Sequence, residues 1–279
     1  MAEVTAAALL LVSLAGLVTA LATGIGALPF FVLEEMSDRL TVALWGLASG
    51  IMLAASGFGL VREGLAEARR EPHLLPLDRF AGEAAVALGL LAGVVLVVAA
   101  HEVVAGTEVD PRQYEAADVR RLVLILGVLT VHSFPEGVAV GVAFADLDIE
   151  GVAALGFTVP LLAVFMTVAI SIHNVPEGVA VSIPLRAMGV PPRRMVGWAV
   201  FSSLPQPIGA VLAFYFVRLA RAFLPVGFGF AAGAMIYLVL TEFIPEALAE
   251  GADLPGRGYR ELVVGVLVGV LAMTPLAFV

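Results

Sequence analysis

Eight runs with little or no charge, each roughly 17–25 residues long, divide this chain, and that is the length a helix needs to cross the hydrocarbon of a bilayer. They lie near residues 4–30, 40–61, 82–101, 122–145, 153–180, 195–217, 222–246 and 261–279. In lipid, backbone N–H and C=O groups must be paired within the protein, and runs this long do so as helices. Of 279 residues, 61% are hydrophobic and 14% charged, too few charges for a soluble domain. The expectation is an all-α polytopic membrane protein with eight transmembrane helices. Residues 1–279 form one transmembrane domain, because no hydrophilic stretch is long enough to fold alone. Met1-Ala2-Glu3 carries no basic residue, and the uncharged run from Val4 to Leu33 is too long for a signal-peptide core, so the first span is read as retained. The chain has no Cys, which excludes disulfides and thiolate metal sites. A net charge of −9 argues against nucleic acid as a partner.

Two of the runs contain near copies of one segment, His132-Ser133-Phe134-Pro135-Glu136-Gly137-Val138-Ala139-Val140 and His173-Asn174-Val175-Pro176-Glu177-Gly178-Val179-Ala180-Val181. The copies are 41 residues apart (173 − 132) and agree at seven of nine positions. An imidazole and a carboxylate inside an apolar span are costly and imply a partner. In each copy His and Glu are four apart, hence on one helix face. Each Pro, three after the His, frees the carbonyl four residues back, Val131 or Ile172. Face to face, the two segments make a two-His, two-Glu cage of net charge −2, suited to a divalent cation of the zinc type. His132 is ten residues into its span, roughly 15 Å deep and near the midplane, where a transporter holds its cargo. Protonation of His132 or His173 competes with metal, so binding is expected to weaken as pH falls through the imidazole range.

Other polar residues are less specific. Asp146, Asp148 and Glu150 form an acidic loop between the twin spans, by default a solvated loop and alternatively one that draws cations to a mouth. Glu242 and Glu246 are four apart at the end of the seventh span, placed either at the interface or on an exit relay. Met52 fits core packing, and Gln206, between Pro205 and Pro207, fits a helix–helix hydrogen bond. Pairs such as Gly229/Gly233 and Gly265/Gly269 signal close packing. Eight spans place both termini on one side. Nine Arg lie in the loops after spans 1, 3, 5 and 7 and six on the opposite side, which favours both termini outside.

The paired H-x-x-P-E-G segments resemble those of the ZIP (ZRT/IRT-like) metal transporters, in the prokaryotic branch. Ala48-Ser49-Gly50-Ile51-Met52, Ser203-Leu204-Pro205-Gln206-Pro207-Ile208-Gly209, Ala232-Gly233-Ala234-Met235 and Ile244-Pro245-Glu246 agree with it, so the resemblance covers nearly the whole chain. It implies zinc uptake into the cytoplasm across the cell (inner or plasma) membrane, with both termini extracellular or periplasmic. Zn2+ is then cargo, with Cd2+, Fe2+ and Mn2+ as further candidates. Membrane lipid surrounds the chain, a homodimer is a candidate assembly, and no organic cofactor or enzymatic activity is implied. Carried over by position, His132, Glu136, His173 and Glu177 hold a first metal, with Met52 as a further ligand. A second metal shares Glu136 and Glu177 and takes Ser133, Asn174 and Gln206. Family members often have Asn at Ser133, and some have Asp at Asn174 and Glu at Gln206. The second site here lacks a carboxylate of its own and is expected to be weak or empty. The His-rich loop after span 3 of eukaryotic members is absent. The pathway expected from the resemblance runs past Asp146, Asp148 and Glu150 and leaves by Glu242 and Glu246, as the helix bundle holding spans 4 and 5 moves against the rest. A membrane-embedded metal-dependent hydrolase is the alternative; the H-E-x-x-H of intramembrane zinc proteases is missing.

Overall fold

The computed structural model describes residues 4–33, 36–69, 81–106, 133–148 and 151–275. Six helices among them are long and apolar enough to cross a membrane: Ala6–Phe31, Asp38–Glu67, Gly82–Val103, Leu161–Arg186, Pro192–Leu219 and Arg221–Glu250. In order, the helices are α1 (Ala6–Ile25), α2 (Asp38–Ala54), α3 (Arg62–Glu67), α4 (Ala81–Gly106), α5 (133–143), α6 (Leu161–Ala187), α7 (Pro192–Ser202), α8 (Pro205–Leu219), α9 (Leu224–Leu238), α10 (Ile244–Glu250) and α11 (Tyr259–Ala272). The fourth expected span is described only from residue 133, so His132 lies outside the described residues. The last span is described as α11 and a short continuation. Thr5 and Ser37 cap α1 and α2 by accepting from the N–H groups of Ala8 and Leu40, which fixes where those spans begin.

One expectation needs correction. The run beginning near residue 153 is helical only from Leu161: Val152–Ala154 and Phe157–Val159 instead form an antiparallel hairpin. Its turn needs a positive φ at Gly156, and Pro160 then precedes the helix. The sixth expected span is one candidate span, Pro192–Leu219, interrupted as its prolines suggest: α7 ends and α8 begins at Ser203-Leu204, where Pro205 opens a new first turn.

The spans Asp38–Glu67 and Arg221–Glu250 are both 30 residues long and repeat each other with an offset of 183 (233 − 50). Gly46, Ala48, Gly50 and Met52 recur as Gly229, Ala231, Gly233 and Met235, and Glu63, Leu65, Ala66 and Glu67 recur as Glu246, Leu248, Ala249 and Glu250. Both pass through a π-helical segment at the matching place, Ala55–Val61 and Val239–Phe243. They run antiparallel: Gly64 lies against Phe228 at one end, and Trp45 packs edge-on against Phe243 at the other, 4.9 Å between centroids. Each also receives a neighbour along its glycine face. Gly265 and Gly269 of α11 meet the Ala43 and Leu47 carbonyls of α2, and Gly89 and Gly93 of α4 meet those of Val226 and Phe230 of α9. Such an inverted repeat is a common construction in membrane transporters.

This frame of α2–α3, α4, α9–α10 and α11 is one of two groups of packed helices. The other contains α1 packed on α6, α7 and α8, with α5 laid along α8. The groups meet where α2 crosses α6 and where Val142 of α5 lies against Gly227 of α9. Inside the second group the glycine of each twin motif is a point of backbone contact. A Cβ on Gly178 would stand 1.8 Å from the Thr23 carbonyl oxygen of α1, and one on Gly137 would stand 2.1 Å from the Gln206 carbonyl oxygen of α8. Gly197 of α7 has nothing within 4 Å of that position. Gly178→Val should therefore lower the thermal midpoint of the detergent-solubilised protein by about 3–10 °C through overpacking, while Gly197→Ala leaves it within about 2 °C. Equal midpoints for the two variants in a thermal-shift scan would refute the close contact of α1 with α6.

Candidate metal centre

Glu136 on α5 and His173 and Glu177 on α6 converge so that one ligand atom from each lies within 4.8 Å of the others. All three side chains are fully buried. The spacing of four puts His173 and Glu177 one above the other on α6, and α5 supplies Glu136 from across the gap. His173 Nε2 is 2.7 Å from Glu136 Oε1. The imidazole is stacked on Phe243, 5.5 Å between centroids and 23° between planes. That ring belongs to the second π segment of the frame, so the frame itself walls the site.

An amide relay holds the other side of Glu136. Gln206 Nε2 donates to Glu136 Oε2 at 2.6 Å, and Asn174 Nδ2 donates to Gln206 Oε1 at 3.1 Å and to the Thr19 carbonyl at 2.7 Å. The break before α8 is what brings Gln206, its second residue, to this depth. One turn of α1 further on, Thr23 and Ser203 hydroxyls share a 2.7 Å bond. These partners tie α1, α5, α6 and α8 together around one point.

Several polar atoms there have no partner within the protein. Both oxygens of Glu177, Nδ1 of His173 and Oδ1 of Asn174 are buried and make no hydrogen bond. A buried carboxylate with two bare oxygens costs several kcal/mol unless a cation compensates it. The donors on offer are imidazole nitrogen and carboxylate oxygen, the set that borderline divalent ions such as zinc prefer.

The other expected residues fall in different places. Met52 is buried in the core on α2, which crosses α6. Ser133 is buried on α5 one turn before Glu136. Asp146 pairs with Arg221 at 2.7 Å. Asp148 accepts from the Thr158 N–H at 2.9 Å and so pins the hairpin. Glu150 and His132 lie outside the described residues. Glu242 pairs with His101 of α4 at 2.5 Å, and Glu246 is exposed. Phe243, Thr19 and the His101–Glu242 pair had no signal in the linear spacing of the motifs. The 183-residue repeat was present in the sequence and singles out the helix that carries Phe243.

The family model for the ZIP zinc transporters matches residues 99–277. The zinc transporter GufA of Myxococcus xanthus is 34% identical over 266 residues, 93% of this chain and 96% of that protein. The zinc transporter ZIPB of Bordetella bronchiseptica is 35% identical over 237 residues, 83% of this chain and 71% of that protein. A longer Arabidopsis thaliana protein is 38% identical over 242 residues, so the chain spans only 35% of that relative's length. With the family model covering well over half its length and GufA matching nearly end to end, this chain belongs to the ZIP zinc transporter family.

Proposed function

We propose that this protein is a transporter, not an enzyme, that carries divalent metal cations, zinc foremost, through a multi-pass membrane domain comprising the whole chain. The observation that carries the reading is the Glu177 carboxylate, buried with both oxygens unpartnered beside His173 and Glu136. Eight spans, both termini outside and cytoplasmic delivery complete the proposal, and the membrane is the cell membrane. Cd2+, Fe2+ and Mn2+ are further cargo, since an N/O site ranks first-row ions by affinity more than it excludes them. A homodimer is the proposed assembly.

The first metal position is assigned to His132, Glu136, His173 and Glu177, with Met52 as an additional thioether. His173 Nε2 and Glu136 Oε1, 2.7 Å apart, would each offer a lone pair to the cation, the imidazole binding through a deprotonated Nε2 with its proton on Nδ1 or released. Gln206 and Asn174 orient Glu136 from behind, as second-layer partners of metal ligands generally do. Phe243 keeps water from one face of the imidazole, which strengthens every charge interaction within. Asp146, Asp148 and Glu150 are assigned to one mouth and Glu242 and Glu246 to the other. Transfer between them is a movement of the α1–α5–α6–α8 group against the frame. Release requires a cage that selects without trapping.

The test is zinc uptake into proteoliposomes loaded with a metal-sensitive dye. Glu177→Gln keeps the volume and removes one charge. It should weaken zinc binding by about 100-fold or more and abolish saturable uptake. Uptake by the folded variant equal to wild type, or none by the folded wild type, would sink the reading. The second position, built from Ser133, Asn174 and Gln206, has only the shared Glu136 and Glu177 to balance a second dication. Gln206→Glu should raise bound zinc from about one to about two per chain, counted by elemental analysis after dialysis, because it supplies the missing charge. An unchanged count would refute the assignment of Gln206 to a second position.

A further inference from the structure

The two ends of the inverted repeat carry opposite electrostatics. With the 183-residue offset, Arg221 corresponds to Asp38 and Glu67 corresponds to Glu250 (221 − 38 and 250 − 67). At one end, Arg221 Nη2 reaches Glu67 Oε1 at 3.2 Å, with Glu67 only 3% exposed. At the other, the equivalent residues are two carboxylates: Glu250 feels the charges of Glu246 and Asp38, and none of the three has a basic partner among the described residues. The repeat that places an attractive pair at one end therefore places a repulsive one at the other.

The attractive end reaches across the boundary between the helix groups. The same Arg221 nitrogen holds Asp146 Oδ1 at 2.7 Å. Asp146 is on the turn after α5, in the group that contains the metal centre, whereas Glu67 ends α3 in the frame. Arg218 of α8 fixes that turn by donating to the Ala145 and Leu147 carbonyls, both at 3.0 Å, on either side of Asp146. Beside this cluster a cavity of about 320 Å³ lies between the groups, with Arg62, Glu63 and Phe228 of the frame facing Ala143, Asp146 and Leu161. Near the end of α6, at the opposite end of the twin-motif repeat, stands Arg186, one position before the residue that the offset of 41 aligns with Asp146 (146 + 41 = 187). Arg186 makes no ion pair among the described residues. It is opposite in sign to the carboxylates Asp38, Glu246 and Glu250 that end the frame on its side.

We propose that Asp146–Arg221–Glu67 is a latch that holds the moving group against the frame at this end. Arg186 with Asp38 and Glu250 is its charge-reversed counterpart, disengaged here and engaged when the group has moved. Each latch stabilises one end closed, so the balance between them sets which conformation the protein rests in. The proposal deepens the transport reading and rests on it only for the consequence of the movement.

The chain contains no Cys, so Ala143→Cys places a single thiol in the cavity wall between the groups. Its modification by a charged methanethiosulfonate, in nanodiscs where both faces are accessible, reports opening without any transport. The thiol should react slowly in the otherwise native protein and about fivefold faster with Arg221→Gln, a ratio in the range that the loss of a partly exposed ion pair gives. Arg221→Lys should restore slow labelling, and Arg186→Glu added to Arg221→Gln should slow it again by removing the opposing latch. Equal rates in the native and Arg221→Gln backgrounds would overturn the first latch. Persistent fast labelling in the Arg221→Gln/Arg186→Glu double variant would overturn its counterpart. Zinc uptake measured in parallel separates the readings, since a wild type that labels as described yet takes up no zinc overturns the transport reading and leaves the latch standing.

Discussion

The whole arrangement depends on keeping two carboxylates and an imidazole together where there is no water. Glu136 and Glu177 repel each other at this separation in a low-dielectric interior, and neither can be left bare at small cost. The protein partly answers this by giving Glu136 two neutral donors, Gln206 and, with the right tautomer, His173. Glu177 receives none, which leaves the centre with an unsatisfied demand for positive charge. Bringing the groups so close requires the backbones to approach first. That is the physical role of the glycine after each motif Glu: Gly137 admits the backbone of α8 and Gly178 that of α1. Motif chemistry and motif packing are therefore inseparable, since the residue that follows the ligand is what positions it.

The frame explains how such a centre is held, and its interfaces bear on the proposed movement. Its helices interlock through reciprocal glycine contacts, α2 with α11 and α4 with α9, so the backbones approach closely without large side chains between them. The group carrying the metal centre contacts this frame mainly along α2 and through Phe243. Contacts made by an aromatic face and small helix residues can slide, whereas interlocked glycines cannot without separation. The division of labour is thus written in which interfaces are glycine-locked across the membrane and which are not. Both π segments fall in the frame helices, where a wider turn re-aims the side chains that follow it.

Much of this was legible in the sequence. Charge-free runs located the six candidate spans among the described residues because lipid tolerates few alternatives, and the motif spacing pointed to Glu136, His173 and Glu177, which do converge. Met52 and Gln206 could be named only through resemblance, since a buried thioether and a helix-end amide are unremarkable alone. Gln206 is 70 residues from Glu136 in the chain, so no local pattern could pair them. The hairpin at residues 152–159 hides in an apolar run because its Val, Ala and Phe are as hydrophobic as any span, and only Gly151, Gly156 and Pro160 mark it as something other than helix. Asp146 and Asp148 looked like a solvated acidic loop, yet one holds an arginine and the other a backbone N–H. Charge patterns alone do not distinguish carboxylates offered to a passing ion from those already engaged by the protein.

The amide relay bears on how many ions the centre can hold. Gln206 spends its NH2 on Glu136 and its oxygen on Asn174. To ligate a cation through oxygen it would have to break the second bond and present toward the metal the end now serving as an acceptor to Asn174. Asn174 in turn has a free oxygen, but its NH2 is fixed by the Thr19 carbonyl and by Gln206. Neutral amides in this arrangement stabilise Glu136 as an anion and add no charge to oppose a second dication. A carboxylate at position 206 would reverse both effects at once, repelling Glu136 in the empty centre and attracting a second ion into it. The proposed preference for one cation over two thus rests on the relay behind the ligands rather than on the ligands themselves.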